Sequence, residues 1–351
     1  MKNLKNLFEP YPLNDKLTLK NKIIMAPMTR AFADDDLVPT DDMVNYYSRR
    51  AEAGLIITEG TIIRPDSIGY KKVPGIYNEA QISAWKKVTE AVHQHDGKIF
   101  SQIWHVGRVS HPSFIEGALP ISSSETTMSS KMFRANHLFY GKSRAANELE
   151  IKELIQDYAT AAKNALRAGF DGIEIHGANG YLIDQFLHYH TNLRTDQYGG
   201  FPENMARFAL AVVRACGEAI GFEKIGIRLS PGAYLNEIIG DSRDHDVFQY
   251  LLEQLNALPI AYVHTGNFDD KVKFKELKNR TMTHFIRQHY QGTVVASGSY
   301  SFEQADEGVK EGAFDLVAIG RPFIANPDLI SRLKSGHTIK EYDNDMLGTL
   351  Y

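Results

Sequence analysis

Short runs of apolar, mostly β-branched residues alternate with longer amphipathic stretches along nearly the whole chain. The short runs predict eight strands, at 22–25, 55–58, 98–103, 172–175, 224–229, 260–264, 293–296 and 316–319. The amphipathic stretches predict eight helices, at 41–53, 79–95, 149–168, 203–220, 246–258, 281–290, 302–311 and 327–334. This alternation favours an α/β fold, a (β/α)8 TIM barrel. No Pro-, Gly- or Ser-rich linker divides the chain, so we expect one domain over residues 1–351.

An open, doubly wound sheet is the alternative fold. It requires no eightfold repeat and favours a glycine-rich turn after the first strand, which is absent after Met25.

The segment 106–147 interrupts the alternation between the third strand and the third helix. Loops after barrel strands are usually a few residues long, and they carry the active site of this fold. We therefore expect a lid or capping insertion after strand 3, with an insertion of no function as the alternative.

Composition limits the classes of protein that remain. Apolar residues make up 43% and charged residues 23% of the chain, and the formal net charge is -4, so nucleic acid is not an expected partner. The only cysteine, Cys216, excludes an intrachain disulfide. Neither a secretory signal nor a run apolar enough to span a membrane is visible, and we expect a cytoplasmic protein.

The fourth strand is followed by His176, Asn179 and Tyr181. A barrel places the carboxyl ends of its strands at its catalytic face. An imidazole, an amide and a phenol on one turn can form hydrogen bonds to a single small ligand, and the phenol can supply a proton.

Small residues and an arginine follow the last two strands, namely Ser297, Gly298, Ser299, Gly320 and Arg321. Backbone N–H groups at small residues can approach an anion, and phosphate sites recur at this place in barrels. The set predicts a phosphate site, with tight turns and a surface arginine as the alternative.

The centre of the predicted barrel mouth is neutral and rich in hydrogen-bonding groups, with Thr29, Gln102 and His176 beside the single charged Arg228. Such a set suits the edge of a heteroaromatic ring that becomes anionic. A structural ion pair of Arg228 with Glu59 or Glu174 is the alternative.

Other barrel enzymes are less well matched. Lys22, Lys98 and Lys224 open their strands and so lie on the opposite face, which disfavours Schiff-base chemistry. No two histidines have close ligand spacing, which disfavours a metal centre. A phosphosugar isomerase or aldolase, and a ligand-binding protein without activity, remain the alternative functions. Tyr181 argues against the last, since a binder needs no phenol there.

Several longer motifs occur in a fixed order along the chain: APMTR at 26–30, QIWH at 102–105 with Gly107 and Arg108, HGANGY at 176–181, NLRTDQYGG at 192–200, GIRLS at 226–230, and GRP at 320–322 followed by IANP at 324–327. With these motifs the chain resembles the old yellow enzyme family of flavin-dependent ene-reductases, in particular its N-ethylmaleimide reductase and pentaerythritol tetranitrate reductase group. The resemblance extends from Phe8 to about Leu333.

The resemblance implies tightly but non-covalently bound FMN. The implied ring contacts are Pro27, Met28, Thr29, Gly60, Gln102 and Arg228, and the implied phosphate contacts are Ser297, Gly298, Ser299, Gly320 and Arg321.

It also implies a two-step cycle, in which NADPH or NADH reduces the flavin and an activated alkene or nitro compound then reoxidises it. His176 and Asn179 would bind the carbonyl or nitro oxygen, and Tyr181 would protonate the α-carbon after hydride transfer from flavin N5. Tyr70 and Trp104 would line the substrate pocket.

Two features depart from that group. Asn179 stands where the group often has a second histidine, and the tail 338–351 lacks the Gly- and Tyr-rich pattern expected there. Monomer and homodimer are both left open.

Overall fold

Eight parallel strands close into a barrel within the computed structural model, which describes residues 4–351 apart from the side chain of Asn136. We number them β1 (Ile23–Met25), β2 (Leu55–Ile57), β3 (Ile99–Trp104), β4 (Gly172–Gly177), β5 (Ile225–Leu229), β6 (Tyr262–Thr265), β7 (Val294–Ala296) and β8 (Leu316–Ile319). Pairing of Val317 with Ile23 joins β8 to β1 and closes the ring. The predicted barrel is therefore confirmed, and the open sheet is excluded.

Eight helices of the described chain surround the barrel. They are α1 (Asp41–Ser48), α2 (Glu79–Gln94), α3 (Glu148–Arg167), α4 (Arg207–Ile220), α5 (Asp244–Leu255), α6 (Met282–His289), α7 (Phe302–Lys310) and α8 (Leu329–Ser335). The predicted helix 203–220 is divided in the structure, because a separate turn, Pro202–Met205, precedes α4. Two further short helices, Leu182–Leu187 and Arg321–Ala325, follow β4 and β8 directly and were not predicted.

The amino-terminal face of the barrel is covered by a hairpin of two strands, Tyr11–Asn14 and Leu17–Leu19. Its Leu13 and Leu19 pack into the barrel interior with Phe100 and Tyr262. The opposite, carboxyl-terminal face is thus the one left for a ligand. The strand Thr61–Ile62 extends the sheet there by pairing with the end of β3.

The insertion, residues 106–147, contains four short strands: Ile121–Ser122, Lys131–Met132, Ala135–Phe139 and Arg144–Ala145. Its Met128, Met132 and Tyr140 are buried in one apolar cluster with Trp104 and Tyr181. The insertion therefore packs directly against side chains at the carboxyl-terminal face.

A membrane-spanning helix would need a longer and more apolar segment than any helix of residues 4–351 provides.

Candidate active site

The turn after β4 carries three of the predicted site residues. Asn179 and Gly180 both have positive φ, 63° and 75°, and Tyr181 is the N-cap of the helix Leu182–Leu187. A Cβ at Gly180 would lie 2.8 Å from the Cβ of Asn236, so this position requires glycine. The turn brings His176 and Tyr181 together, with their ring centroids 5.0 Å apart.

A buried network holds this turn in place. The N–H of Asn179 donates to Ser230 Oγ at 2.6 Å, and the N–H of Gly180 donates to Asp184 Oδ2 at 2.7 Å. His188 lies between Asp184 (3.4 Å) and Asp244 (2.8 Å) and connects the turn to α5. The positions of the site groups thus depend on buried polar contacts beneath them.

His176 is buried and neutral. Burial, together with the nearby charges of Arg228 and His264, lowers the pKa of His176 well below its usual value. Its Nδ1 faces the N–H of Ala178 at 3.4 Å and accepts from it, which leaves the hydrogen on Nε2. The imidazole can therefore donate one hydrogen bond from Nε2.

The amide of Asn179 is oriented by a phenol. Tyr234 donates its hydroxyl hydrogen to Asn179 Oδ1, so the Nδ2 group of Asn179 is the end left to donate to a ligand. The carbonyl oxygen of Asn179 accepts from Asn236 Nδ2 at 2.7 Å.

Tyr181 lies in an aromatic setting. Its ring meets Trp104 edge-to-face at 4.8 Å, and its hydroxyl lies 3.0 Å from that of Tyr70. Burial raises the pKa of Tyr181 to about 12. The phenol therefore keeps its proton at neutral pH. Trp104 stacks on His176 at 5.9 Å, so Tyr70, Trp104, His176 and Tyr181 form one cluster.

Arg228 lies next to His176 in the barrel, because the two residues pair across β4 and β5. Glu174 is occupied by Gln102 Nε2 and His264 Nδ1, both at 2.8 Å. Glu59 accepts from the N–H groups of Arg30 and Ala31 at 3.1 and 2.8 Å. Within the part of the chain that the structure describes, no carboxylate approaches Arg228 to 4 Å, and its buried Nε has no hydrogen-bond partner.

The loop after β1 carries the half-buried Pro27, Met28 and Thr29. It adjoins the end of β8, because a Cβ at Gly320 would lie 3.2 Å from Met28 Sδ. Arg134 of the insertion donates to the carbonyl oxygens of Thr29 and Arg30, at 2.8 and 3.0 Å. The insertion thus reaches across to the first barrel loop. Gly60, after β2, packs under Trp104, whose ring would lie 2.1 Å from an added Cβ.

The predicted phosphate residues lie at the ends of β7 and β8, which are neighbours in the barrel. Gly298 has φ 141°, and a Cβ there would lie 2.5 Å from the backbone nitrogen of Asp270, so only glycine fits. Ser297 and Ser299 donate their hydroxyls to backbone carbonyl oxygens, which leaves backbone N–H groups as the donors for an anion. Arg321 is exposed and begins the helix Arg321–Ala325.

These groups fit FMN. The unpartnered buried Nε of Arg228 requires an anionic or accepting partner, which the edge of a flavin ring offers. Two neighbouring glycine-containing turns with an exposed guanidinium suit the phosphate. Among residues 4–351, no three His, Cys, Asp or Glu side chains are grouped so that they could hold a metal ion.

Sequence reasoning missed three residues beside the turn after β4: Tyr140, Tyr234 and Asn236. Tyr234 and Asn236 belong to the loop after β5, whose path depends on positive φ at Asn236 and Glu237 (52° and 56°). Only the GIRLS motif just before them marked this loop as part of the site. No signal in the sequence singled out Tyr140 within the insertion.

The comparisons with known proteins agree with this geometry. Residues 6–340 match the model of the NADH:flavin oxidoreductase / NADH oxidase family. The chain is 40% identical over 358 residues to 12-oxophytodienoate reductase 7 of Oryza sativa subsp. japonica, covering 96% of this chain and 89% of the relative.

A probable flavin mononucleotide-dependent alkene reductase of Leishmania infantum is also 40% identical, over 337 residues that cover 93% of this chain and 89% of the relative. The solved structure of morphinone reductase in complex with tetrahydroNAD superposes with a TM-score of 0.89, at 40% identity and with 97% and 94% of the two chains covered.

Proposed function

The chain belongs to the NADH:flavin oxidoreductase / NADH oxidase family, and from that premise we propose that His176, Asn179 and Tyr181 carry out the substrate half of an ene-reductase reaction. The protein is an FMN-dependent NAD(P)H oxidoreductase that reduces activated C=C bonds, such as those of α,β-unsaturated carbonyls. The resemblance to the old yellow enzymes, drawn from the motifs, is confirmed by these relatives.

His176 and Asn179 bind and polarise the substrate. Each presents one N–H group, Nε2 of a neutral imidazole and Nδ2 of an amide whose oxygen is held by Tyr234. Two such donors stabilise the negative charge that develops on a carbonyl or nitro oxygen, and a donor of this kind is worth about 3 kcal/mol. Since His176 stays neutral, its donor remains in place across the physiological pH range.

Bound FMN supplies the hydride that reaches the β-carbon of the alkene. Tyr181 then gives its proton to the α-carbon. A phenol with a pKa of about 12 is protonated in the resting enzyme and is still far more acidic than the carbanion it meets. The observation that carries this proposal is the grouping of the imidazole, the amide and the phenol on one turn beside the unpartnered Arg228.

We further propose the FMN contacts at Pro27, Met28, Thr29, Gly60, Gln102 and Arg228, and at Ser297, Gly298, Ser299, Gly320 and Arg321. The tie from Arg134 to the loop after β1 supports a lid role for the insertion. Tyr70 and Trp104 line the substrate pocket, and the protein acts in the cytoplasm. Either NADH or NADPH serves as reductant.

Replacement of Tyr181 tests the proposal. Tyr181→Phe keeps the ring packed against Trp104 and removes only the hydroxyl. We expect reduction of 2-cyclohexenone by the reduced enzyme to slow by roughly 10²–10⁴-fold, as for a lost general acid. Reduction of the flavin by NAD(P)H should stay unchanged, because it requires no acid at this position. Stopped-flow measurement of each half-reaction decides. Normal enone turnover by the variant would show that another group supplies the proton.

A further inference from the structure

Tyr181 is the inner end of a chain of three phenols. The hydroxyl of Tyr70 lies 3.0 Å from that of Tyr181, and the hydroxyl of Tyr140 hydrogen-bonds that of Tyr70 in turn. The three residues come from the turn after β4, the loop after β2 and the insertion. Phenylalanine would fill the same space, so packing alone does not account for three hydroxyls in contact.

The chain leads from the substrate site toward the surface. Tyr70 is enclosed by Trp104, stacked at 5.7 Å, and by the edge of Phe133 at 6.3 Å. Tyr140 stands between Phe139, which is 54% exposed, and the exposed Lys142. The outer phenol is therefore at the edge of the insertion, next to solvent.

The other side chain at the Tyr181 hydroxyl is the amide of Asn236. An amide donates a hydrogen bond but does not release its proton at neutral pH. Of the two side chains that hydrogen-bond the Tyr181 hydroxyl, only Tyr70 can give a proton to the phenolate that catalysis leaves behind.

We propose that Tyr70 and Tyr140 return a proton from solvent to Tyr181 after each turnover. The proposal rests on the proposed role of Tyr181 as the proton donor. When the C–H bond at the α-carbon forms, the O–H bond of Tyr181 breaks and its electron pair stays on the phenolate oxygen. Tyr70 passes its proton to Tyr181, Tyr140 passes its proton to Tyr70, and water protonates Tyr140. Each turnover thus takes up one solvent proton.

The path also gives the insertion a chemical role. Tyr140 is held by the backbone of Phe133 as well as by Tyr70, and Arg134 anchors the same hairpin to the loop after β1. Correct seating of the insertion therefore completes the proton path, whereas a cover alone would only exclude water.

An isotope-retention experiment tests the path. Reduced holoenzyme is equilibrated in D2O, diluted into excess H2O, aged for a variable time and then mixed with 2-cyclohexenone for a single turnover. The deuterium content at the α-carbon of the product, located by NMR, measures how long Tyr181 keeps its label. We expect Tyr70→Phe and Tyr140→Phe to retain deuterium at least about ten times longer than the wild type, because the route for exchange is cut. Tyr140→Phe is the sharper variant, since Tyr140 reaches Tyr181 only through Tyr70.

Phe133→Leu is the matched control, because it alters the insertion beside Tyr70 without removing a hydroxyl, and it should exchange as the wild type does. Equal exchange in the wild type and both tyrosine variants, with Tyr181→Phe still slow, would refute the path and leave the donor role intact. Normal enone reduction by Tyr181→Phe would refute the donor role, and the path with it.

Discussion

At the scale of single residues, the site depends on how each polar group is turned as much as on which group it is. Asn179 has one accepting and one donating end, and only the donating end stabilises a developing oxyanion. Tyr234 holds the accepting end, and Tyr234 in turn packs edge-to-face against Phe268 at 5.3 Å. Tyr234 is thus a positioning residue for Asn179.

Removal of that hydroxyl should weaken the substrate half-reaction alone. In Tyr234→Phe the amide of Asn179 is free to turn, and loss of one neutral hydrogen bond, about 0.5–1.5 kcal/mol, should slow enone reduction roughly 2–10-fold. Flavin reduction should not change. In an Asn179→Ala background, Tyr234→Phe should have no further effect. An equal loss in that background would mean that Tyr234 contacts the substrate itself. Single-turnover stopped-flow rates of the four proteins provide the comparison.

The sequence allowed His176, Asn179 and Tyr181 to be chosen because they directly follow a strand, and the end of a barrel strand fixes which face a residue occupies. Tyr234 and Asn236 are as close to the site, but they lie several residues beyond β5 in an irregular loop. No periodicity describes such a loop, and its left-handed residues are not glycines. Their neighbours therefore depend on tertiary contacts that the local sequence does not encode.

At the scale of elements, the eight strands could be predicted because each is a buried apolar run with a period of its own. The strands of the insertion could not, since two of them are two residues long and are held by contacts from elsewhere. Glu237 of the loop after β5, for example, accepts from the N–H groups of Ser129 and Ser130 at 3.1 and 2.7 Å. The helix Leu182–Leu187 was missed for the same reason. It is buried on all sides and depends on Asp184 and His188.

His188 ties that helix to α5 through two buried carboxylates, and its charge should stabilise the fold. Although burial opposes the charged form, Asp184 and Asp244 outweigh it and raise the pKa of His188 from 6.5 to about 10. A folded pKa above the unfolded one gives a stabilisation that is complete below pH 6.5 and is lost as the pH rises toward 10.

We therefore expect the free energy of unfolding of the wild type to decline over that pH range, as measured by urea denaturation. In His188→Gln this component of the decline should vanish. The variant should also be less stable at pH 7 by about 3–5 kcal/mol, because two buried carboxylates lose their cation. As a control, His93→Gln removes a partly exposed pair with Asp171, which should cost less than about 1 kcal/mol. An unchanged pH dependence in His188→Gln would mean that His188 is neutral in the folded protein.

At the scale of the whole molecule, the barrel places two different ligand chemistries at the two sides of one face. The ends of β3 to β5 supply the hydrogen-bond donors and the proton of the substrate reaction, with Trp104, His176, Tyr181 and Arg228. The ends of β7 and β8 supply the backbone and the guanidinium that suit a phosphate. A cofactor that spans both sides contacts strands far apart in the sequence. Its binding should therefore stabilise the closed barrel as a unit.

Arg321 offers the test of that coupling that disturbs the core least, because its side chain is exposed. Arg321→Ala removes a charge-assisted contact to the phosphate, usually worth about 1.5–3 kcal/mol, and should weaken FMN binding roughly 10–100-fold. The purified variant should then lose its yellow colour on dialysis and unfold at a lower temperature than the wild type. Added FMN should restore both, since a ligand that binds only the folded state stabilises it by mass action. Lys310→Ala, which removes an exposed cation from α7, should change neither. If Arg321→Ala retains FMN as the wild type does, the phosphate is held by backbone N–H groups at Gly298 and Gly320 without help from the guanidinium.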